Sequence, residues 1–159
     1  MTPDQSLISP HNLGAAINEG FRYVAQTYTA GADGTLAGIF LGVQSQSSHP
    51  LHVAIRGVKG GVPDSTVLGE INLGTSAPPP WPIPVIFPQE IKQVVGEQYA
   101  IVVHYPDAPP AGAGQVQGTW TGATGDPYAG GKMCMSADGG SWRVEDDYDL
   151  HFQTFIENA

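Results

Sequence analysis

The sequence has few basic residues. Six Lys plus Arg stand against 15 Asp plus Glu, which gives a formal net charge of −9. Nucleic-acid binding depends on cationic side chains that neutralise phosphates, and anionic membrane surfaces attract the same residues. The composition therefore predicts no nucleic-acid and no membrane partner. Neutral partners, either glycans or other protein surfaces, are expected instead.

Cysteine is almost absent. Cys134 is the single cysteine, so no intrachain disulfide is possible. It lies in an apolar, strand-like run from Lys132 to Ser136. A buried structural thiol is the expected state, and a reactive thiol is the alternative.

Long apolar runs are missing as well. No stretch approaches the roughly 20 residues of a membrane span. The start, Met1-Thr2-Pro3-Asp4-Gln5, has neither the basic residues nor the apolar core of a secretory signal. If Met1 is the native start, we therefore expect a protein made in the cytoplasm and not exported by the general route; the alternative is a chain trimmed at its N-terminus.

Helical periodicity and internal repeats are also lacking, and period-two alternation takes their place. Leu51, Val53 and Ile55 share one face of a strand, while His52 and Arg56 point the other way. Gly and Pro, 21 and 14 in number, suit many tight turns. The pattern predicts a single antiparallel β-sandwich of eight to ten strands, with strand candidates at 23–29, 35–43, 51–57, 66–73, 83–87, 98–105, 115–121, 131–136 and 148–156.

The first 22 residues differ from the rest. Residues 1–22 are predicted to be a short N-terminal arm, and residues 23–159 the β-sandwich domain. The arm docks on a neighbour or along the sandwich, or it is a frayed terminus. Only Leu13–Ile17 could form a short helical turn. Farther along, the five prolines between Ser76 and Pro84 exclude an interior strand there.

A family resemblance is carried by the order of several short motifs. They are Ala25-Gln26-Thr27-Tyr28-Thr29-Ala30-Gly31, Pro63-Asp64-Ser65-Thr66-Val67-Leu68-Gly69, Gly96-Glu97-Gln98-Tyr99-Ala100-Ile101-Val102, Tyr128-Ala129-Gly130-Gly131, Gly139-Gly140-Ser141-Trp142 and Asp149-Leu150-His151-Phe152. Over residues 24–156 the chain resembles the jelly-roll "choice-of-anchor" modules of bacterial surface and phage structural proteins. The resemblance implies an all-β, galactose-binding-like jelly roll. It also implies a non-catalytic protein similar to carbohydrate-binding modules.

Aromatic residues in the C-terminal third are candidates for glycan binding. Trp120, Tyr128 and Trp142 lie near Gly and Asp, and Asp126 could accept hydroxyl groups. Pyranose rings stack on flat aromatic faces, which is why these residues suit a sugar site. The alternative is that the aromatic side chains simply fill the core.

Two further sets of residues suggest a metal site and an interface. Asp146, Asp147 and Asp149 offer hard oxygen ligands for a structural Ca²⁺, with a solvated acidic turn as the alternative. Trp81 and Tyr28 are candidates for a subunit interface, where aromatic residues are enriched. Trp81 could instead cap the core edge.

No motif of a catalytic site is present, so no catalytic residue is assigned and no enzyme activity is expected. The leading hypothesis is a structural virion protein of a phage, such as a capsid decoration, fibre or tail component, which also binds host glycans. Its partners would be other virion or surface subunits, a second copy of the chain included. The alternative is a carbohydrate-binding module of a secreted or surface bacterial protein, located outside the cell. No cofactor is expected apart from the structural calcium.

Overall fold

The structure is a computed structural model that describes residues 1–18, 20–45, 49–74, 81–106 and 117–157. The described residues form fifteen strands and no helix, and so none that could cross a bilayer. The strands are β1 Thr2–Leu7, β2 Leu13–Ile17, β3 Tyr23–Thr29, β4 Gly34–Leu41, β5 Val43–Ser45, β6 Leu51–Lys59, β7 Val62–Leu73, β8 Ile83–Val85, β9 Lys92–Gln93, β10 Gln98–His104, β11 Gly118–Thr124, β12 Met133–Ser136, β13 Arg143–Glu145, β14 Tyr148–Leu150 and β15 Phe152–Glu157.

The strands form three antiparallel sheets, which confirms the predicted all-β sandwich. The six-stranded sheet has the order β13-β12-β3-β10-β6-β7. A five-stranded sheet has the order β1-β15-β4-β8, with β9 also paired to β4. A four-stranded sheet has the order β14-β11-β2, with β5 also paired to β11.

One continuous apolar core takes side chains from all three sheets. Val53, Ile55 and Ile101 come from the six-stranded sheet, Leu41 from the five-stranded sheet and Trp120 from the four-stranded sheet. Each of them is buried because the alternation of its strand turns it inward.

The smaller two sheets meet at a corner made by Gly42, Thr121 and His151. Gly42 N–H donates to His151 O, His151 N–H to Thr121 O, and Thr121 N–H to Gly42 O, at 3.1, 2.8 and 2.9 Å. Here β4 passes into β5 and β14 into β15, so each chain segment changes sheet. A Cβ on Gly42 would lie 2.6 Å from that of His151, and this close approach explains the glycine.

Several sequence expectations are corrected here. Leu13–Ile17 is strand β2, paired with β11, and not a helical turn. Within the predicted arm, Thr2–Leu7 is strand β1 and lies along the sandwich, paired with β15. The number of strands exceeds ten because the predicted runs 35–43 and 148–156 each divide at the corner, and because β1, β2, β9 and β13 had no alternating signal.

The hairpin that joins β6 to β7 has a two-residue turn. Gly60 and Gly61, both with positive φ, make this turn, and Pro63 and Asp64 belong to β7. The proline-rich run ends in β8, which pairs with β4 alone, and residues 76–80 of that run lie outside the described residues. The same holds for residues 115 and 116 of the predicted strand 115–121.

Candidate functional site

Trp120 lies in the core. It is 0% exposed, and its indole N–H donates to the carbonyl of His151 at 2.8 Å. No ring face is free for a sugar, so the structure contradicts a ligand-binding role for Trp120 and supports the alternative that it fills the core. The polar end of the indole is satisfied inside the protein, as buried tryptophans require.

Tyr128 is also buried, at the edge of the same core. Its hydroxyl donates to Gln5 Oε1 at 2.7 Å and accepts from Thr29 N–H at 3.3 Å. Its ring meets Phe152 edge to face at 5.1 Å. The side chain ties β1 to β3, which is a structural role, and it offers no open face to a ligand.

Asp126 and Asp149 lie beside one another. Asp149 is buried, and its oxygens accept from Gln26 Nε2 and from Tyr128 N–H, each at 3.0 Å. Burial raises the pKa of Asp149 to about 7, and Asp126, which hydrogen-bonds to it, adds to the rise. The Asp149 carboxyl is thus held by protein donors and links β14 to β3.

The three predicted calcium ligands point to different partners. Asp146 pairs with Lys132 Nζ at 2.5 Å, and the Asp147 carbonyl accepts from Gly125 N–H and Asp126 N–H. No group of three or more His, Cys, Asp or Glu side chains suited to a metal ion occurs among the described residues. The structure therefore does not assemble the predicted calcium set of Asp146, Asp147 and Asp149.

Trp142 lies apart from Trp120 and Tyr128, on the opposite face of the six-stranded sheet. It is half-buried against a second small cluster made of Ala25, Ala100, Val102 and Cys134. The three aromatic residues predicted for a glycan site therefore do not share one surface.

The two residues predicted for an interface also separate. Tyr28 is 1% exposed and its ring contacts Tyr99 and Phe152, so it is a core residue and cannot form a subunit contact. Trp81, in contrast, is 43% exposed. Its ring stacks on His11, with centroids 6.0 Å apart, and meets His151 edge-on at 6.2 Å.

Trp81 forms one wall of an apolar groove of about 360 Å³. The other walls come from β4, from β15 and from the segment before β2, and the lining residues are Ile8, Phe40, Gly42, Pro82, His151, Phe152 and Gln153. Concave apolar sites of this volume are typical of ligand or side-chain pockets. The groove is the candidate functional site of the described part of the chain.

His151 is the main polar group in the wall of the groove. Nδ1 lies 2.9 Å from Thr121 Oγ1 and Nε2 lies 2.7 Å from the Pro10 carbonyl. Burial lowers the pKa of His151, and nearby His11 lowers it further, against the opposing effect of the Pro10 hydrogen bond. The ring is therefore neutral at pH 7, and both of its nitrogens face protein atoms.

Next to the groove, the outer face of the five-stranded sheet is apolar, whereas a row at the far end of that face carries the charged residues Glu157 and Lys92 on either side of Thr35. Phe40 lies between Gln153 and Pro84 across the strands, and Phe155 lies between Pro3 and Gly38. We name the exposed or half-exposed apolar residues here the Trp81 patch, which comprises Ile8, Phe40, Trp81, Pro84, Ile86 and Phe155.

Sequence reasoning found Trp81 but missed the rest of the patch. Ile39 and Phe40 are adjacent apolar residues, and only the sheet shows that Ile39 points inward and Phe40 outward, at 2% and 36% exposure. A signal was present in the alternation of β15, where Phe152 and Phe155 differ in parity and so cannot both face the core.

Comparisons with protein-family models and with curated proteins find no match for this chain.

Proposed function

We propose that this chain is a non-catalytic structural protein that works as a subunit of a larger assembly. A phage virion component, as a capsid decoration, fibre or tail protein, is the setting that the sequence resemblance favours. The observation that carries the proposal is the Trp81 patch, because contiguous exposed apolar surface beside a groove is characteristic of protein contact sites.

A second copy of the chain is the partner that we propose, and the charges indicate which face two copies would share. Each copy carries a net charge of −9, so two copies repel one another across most of their surface. The Trp81 patch contains no charged side chain, which makes it the face where two copies can approach at least electrostatic cost. The outer strands β1 and β8 carry Pro3 and Pro84, which disfavour pairing through sheet edges. For the five-stranded sheet, this leaves association through its apolar face.

Sedimentation velocity over a range of protein concentrations tests this assignment. The wild-type chain is expected to sediment as an oligomer, and Phe40→Ser with Trp81→Ser is expected to return it to the 16.7 kDa monomer. Val67→Ser is the matched control, since Val67 is 45% exposed but lies on β7, in the six-stranded sheet. A wild-type chain that stays monomeric at every concentration, or a double variant that still associates, contradicts the proposal.

The second candidate function is that of a carbohydrate-binding module. One observation favours it: Trp142 is half-buried rather than part of the main core, and its indole nitrogen has no hydrogen-bond partner among the residues that the structure describes. A glycan array with wild type and Trp142→Ala tests it. Binding that is lost in Trp142→Ala but kept in Trp81→Ala would place the sugar at Trp142, and the absence of any bound glycan counts against the module.

A further inference from the structure

Four unpartnered polar atoms lie together on the face of the six-stranded sheet that points away from the main core. Among the described residues, five buried side-chain nitrogens or oxygens lack a hydrogen-bond partner. Four of them are His52 Nδ1, His104 Nδ1, Arg56 Nε and Trp142 Nε1. Buried polar atoms are nearly always paired, so their concentration on one face needs an explanation.

The sheet register builds this face from two rows of side chains. In one row Tyr23, His104 and His52 lie side by side, with Tyr23 stacked on His104 at 4.3 Å and the two histidine rings 4.8 Å apart. The next row is formed by small residues that are paired across the strands, namely Cys134, Ala25, Val102 and Ala54. Because the side chains of this second row are smaller than those of the first, the row forms a shallow depression, which we call the floor of this face.

Arg56 crosses this floor. Its Nη1 donates to the carbonyl of Gly139 at 2.8 Å, in the loop that follows β12, and Gly139 in turn lies against the ring of Tyr23. The same loop ends at Trp142, which packs against the cluster of Ala25, Ala100, Val102 and Cys134, and Ala100 is the cross-strand partner of Arg56. Arg56 Nε and Trp142 Nε1 can only donate hydrogen bonds, and the partner that they lack must be an acceptor.

The positive charges of the two arginines near this face, Arg56 and Arg22, favour a negatively charged acceptor. Burial lowers the pKa of His104 to about 4, and the positive charges of Arg56 and Arg22 contribute to the shift. Neither arginine has a carboxylate within 4.0 Å among the described residues, although acidic residues outnumber basic ones 15 to 6.

Two carboxylates border this face without pairing with Arg56. Glu70 lies opposite Ala54, 3.7 Å from His52 Nε2, which is beyond hydrogen-bond distance. Asp138 accepts from Ser136 Oγ and from the N–H groups of Gly140 and Ser141, all within its own loop. Neither carboxylate supplies the acceptor for Arg56 and Trp142.

We infer that this face binds an oxyanion group, a carboxylate or a sulfate, through Arg56 and Trp142, with His52 and His104 beside it. The free edge of a guanidinium, Nε with the second Nη, matches two oxygens of such a group. The Gly139 loop covers these atoms, so binding displaces this short segment or the Arg56 side chain. The site is on the opposite side of the six-stranded sheet from the main core, and it does not depend on assembly through the Trp81 patch.

The indole N–H signals of the full ¹⁵N-labelled chain provide the test. Sodium glucuronate and sodium sulfate are titrated against sodium chloride at equal ionic strength. The Trp142 signal is expected to shift saturably, whereas that of Trp120, which is bonded to His151 O, stays in place. A saturable shift with glucuronate alone indicates that the ligand is a saccharide carboxylate. A shift with sulfate alone indicates a sulfated ligand, and a shift with both indicates that the site recognises the oxyanion group itself.

Variants separate binding from folding. Arg56→Met keeps the apolar stem and removes the donors, and it is expected to weaken binding at least about tenfold, the value of one charge-assisted hydrogen bond. Arg143→Met is the control, because Arg143 is exposed and paired with Glu145. If Arg56→Met does not fold, Trp142→Phe is used instead. Because that variant has no Trp142 indole signal, anion binding is monitored through the backbone amide signals of Gly139 and Gly140. No saturable shift with either anion, or unchanged affinity in the folded variants, overturns the inference.

Discussion

Trp120 and His151 are joined by a hydrogen bond from the indole N–H to a backbone carbonyl, at the point where β14 passes into β15. The same carbonyl accepts from Gly42 N–H at 3.1 Å. Trp120 therefore fixes the corner at which the two smaller sheets meet, and it does so from a fully buried position.

Trp120→Ala is expected to cost about 3–5 kcal/mol of unfolding free energy, because it leaves a large cavity and removes the bond to the corner. Trp81→Ala, at an exposed site, should cost no more than about 1 kcal/mol. Urea unfolding of both variants measures the difference. Similar losses in the two variants contradict the assignment of Trp120 to the core, and Trp120→Phe replaces Trp120→Ala if the latter does not fold.

The fold class could be predicted from the sequence because alternation is a local signal. The prediction of which residues are buried failed where a strand departs from strict alternation, as at Val67. Period-two counting from Ile71 places Val67 inside, yet it is 45% exposed. The pairing of β6 with β7 shifts register between Ile55 and Arg56, so Gly69 faces Ile55 while Val67 faces Arg56. Such a bulge reverses the parity of the residues between it and the next irregularity, which lies between Arg56 and Val58, and no local sequence pattern indicated it.

Polar links between sheets were equally beyond sequence reasoning. Gln26 reads as a polar interruption in an apolar strand, but its side chain donates to Asp149 and accepts from Leu150 N–H at 2.8 Å. These partners lie more than 120 residues away along the chain. The acidic run that contains Asp149 was visible, but which of its carboxylates turns inward depends on the pairing of β14 with β11.

Gly131→Ala is expected to destabilise the protein by more than about 2 kcal/mol, since overpacking at a close backbone approach cannot relax through a side chain. A Cβ at this position would lie 1.8 Å from the carbonyl oxygen of Thr27. Gly140→Ala is the matched control, because its nearest neighbour would be Asp138 Oδ1 at 3.8 Å. Thermal unfolding compares the two. Equal melting temperatures would show that the segment before β12 does not approach β3 as closely as described.

Cys134 is expected to be inert in the folded protein. It is 0% exposed, and burial raises the pKa of its thiol to about 12, against a small opposing effect of Lys132. The thiolate is the reactive form, so labelling by an aromatic disulfide reagent at pH 8 should proceed only in urea. Since the chain has one cysteine, the signal is unambiguous. Rapid stoichiometric labelling without urea would contradict the burial of this side chain.

Asp149 makes the stability of the protein depend on pH. Its pKa is about 7 in the folded state, raised by burial from the ordinary 3.8. Between these values the folded protein holds a proton that the unfolded chain has released. The unfolding free energy must therefore fall as the pH rises from about 4 to 7, by at most ~1.4 kcal/mol per pH unit from this group.

Asp126→Asn isolates this effect. It removes the carboxylate beside Asp149, and asparagine tolerates the positive φ of 54° at this position. The pKa of Asp149 should fall, so the variant should match wild type near pH 4 and exceed it by about 1 kcal/mol at pH 8. Asp147→Asn, also exposed, changes the net charge equally without removing that neighbour. Urea unfolding at the two pH values decides: a gain that is the same at both, or that Asp147→Asn reproduces, would show that Asp126 acts only through the net charge of the chain.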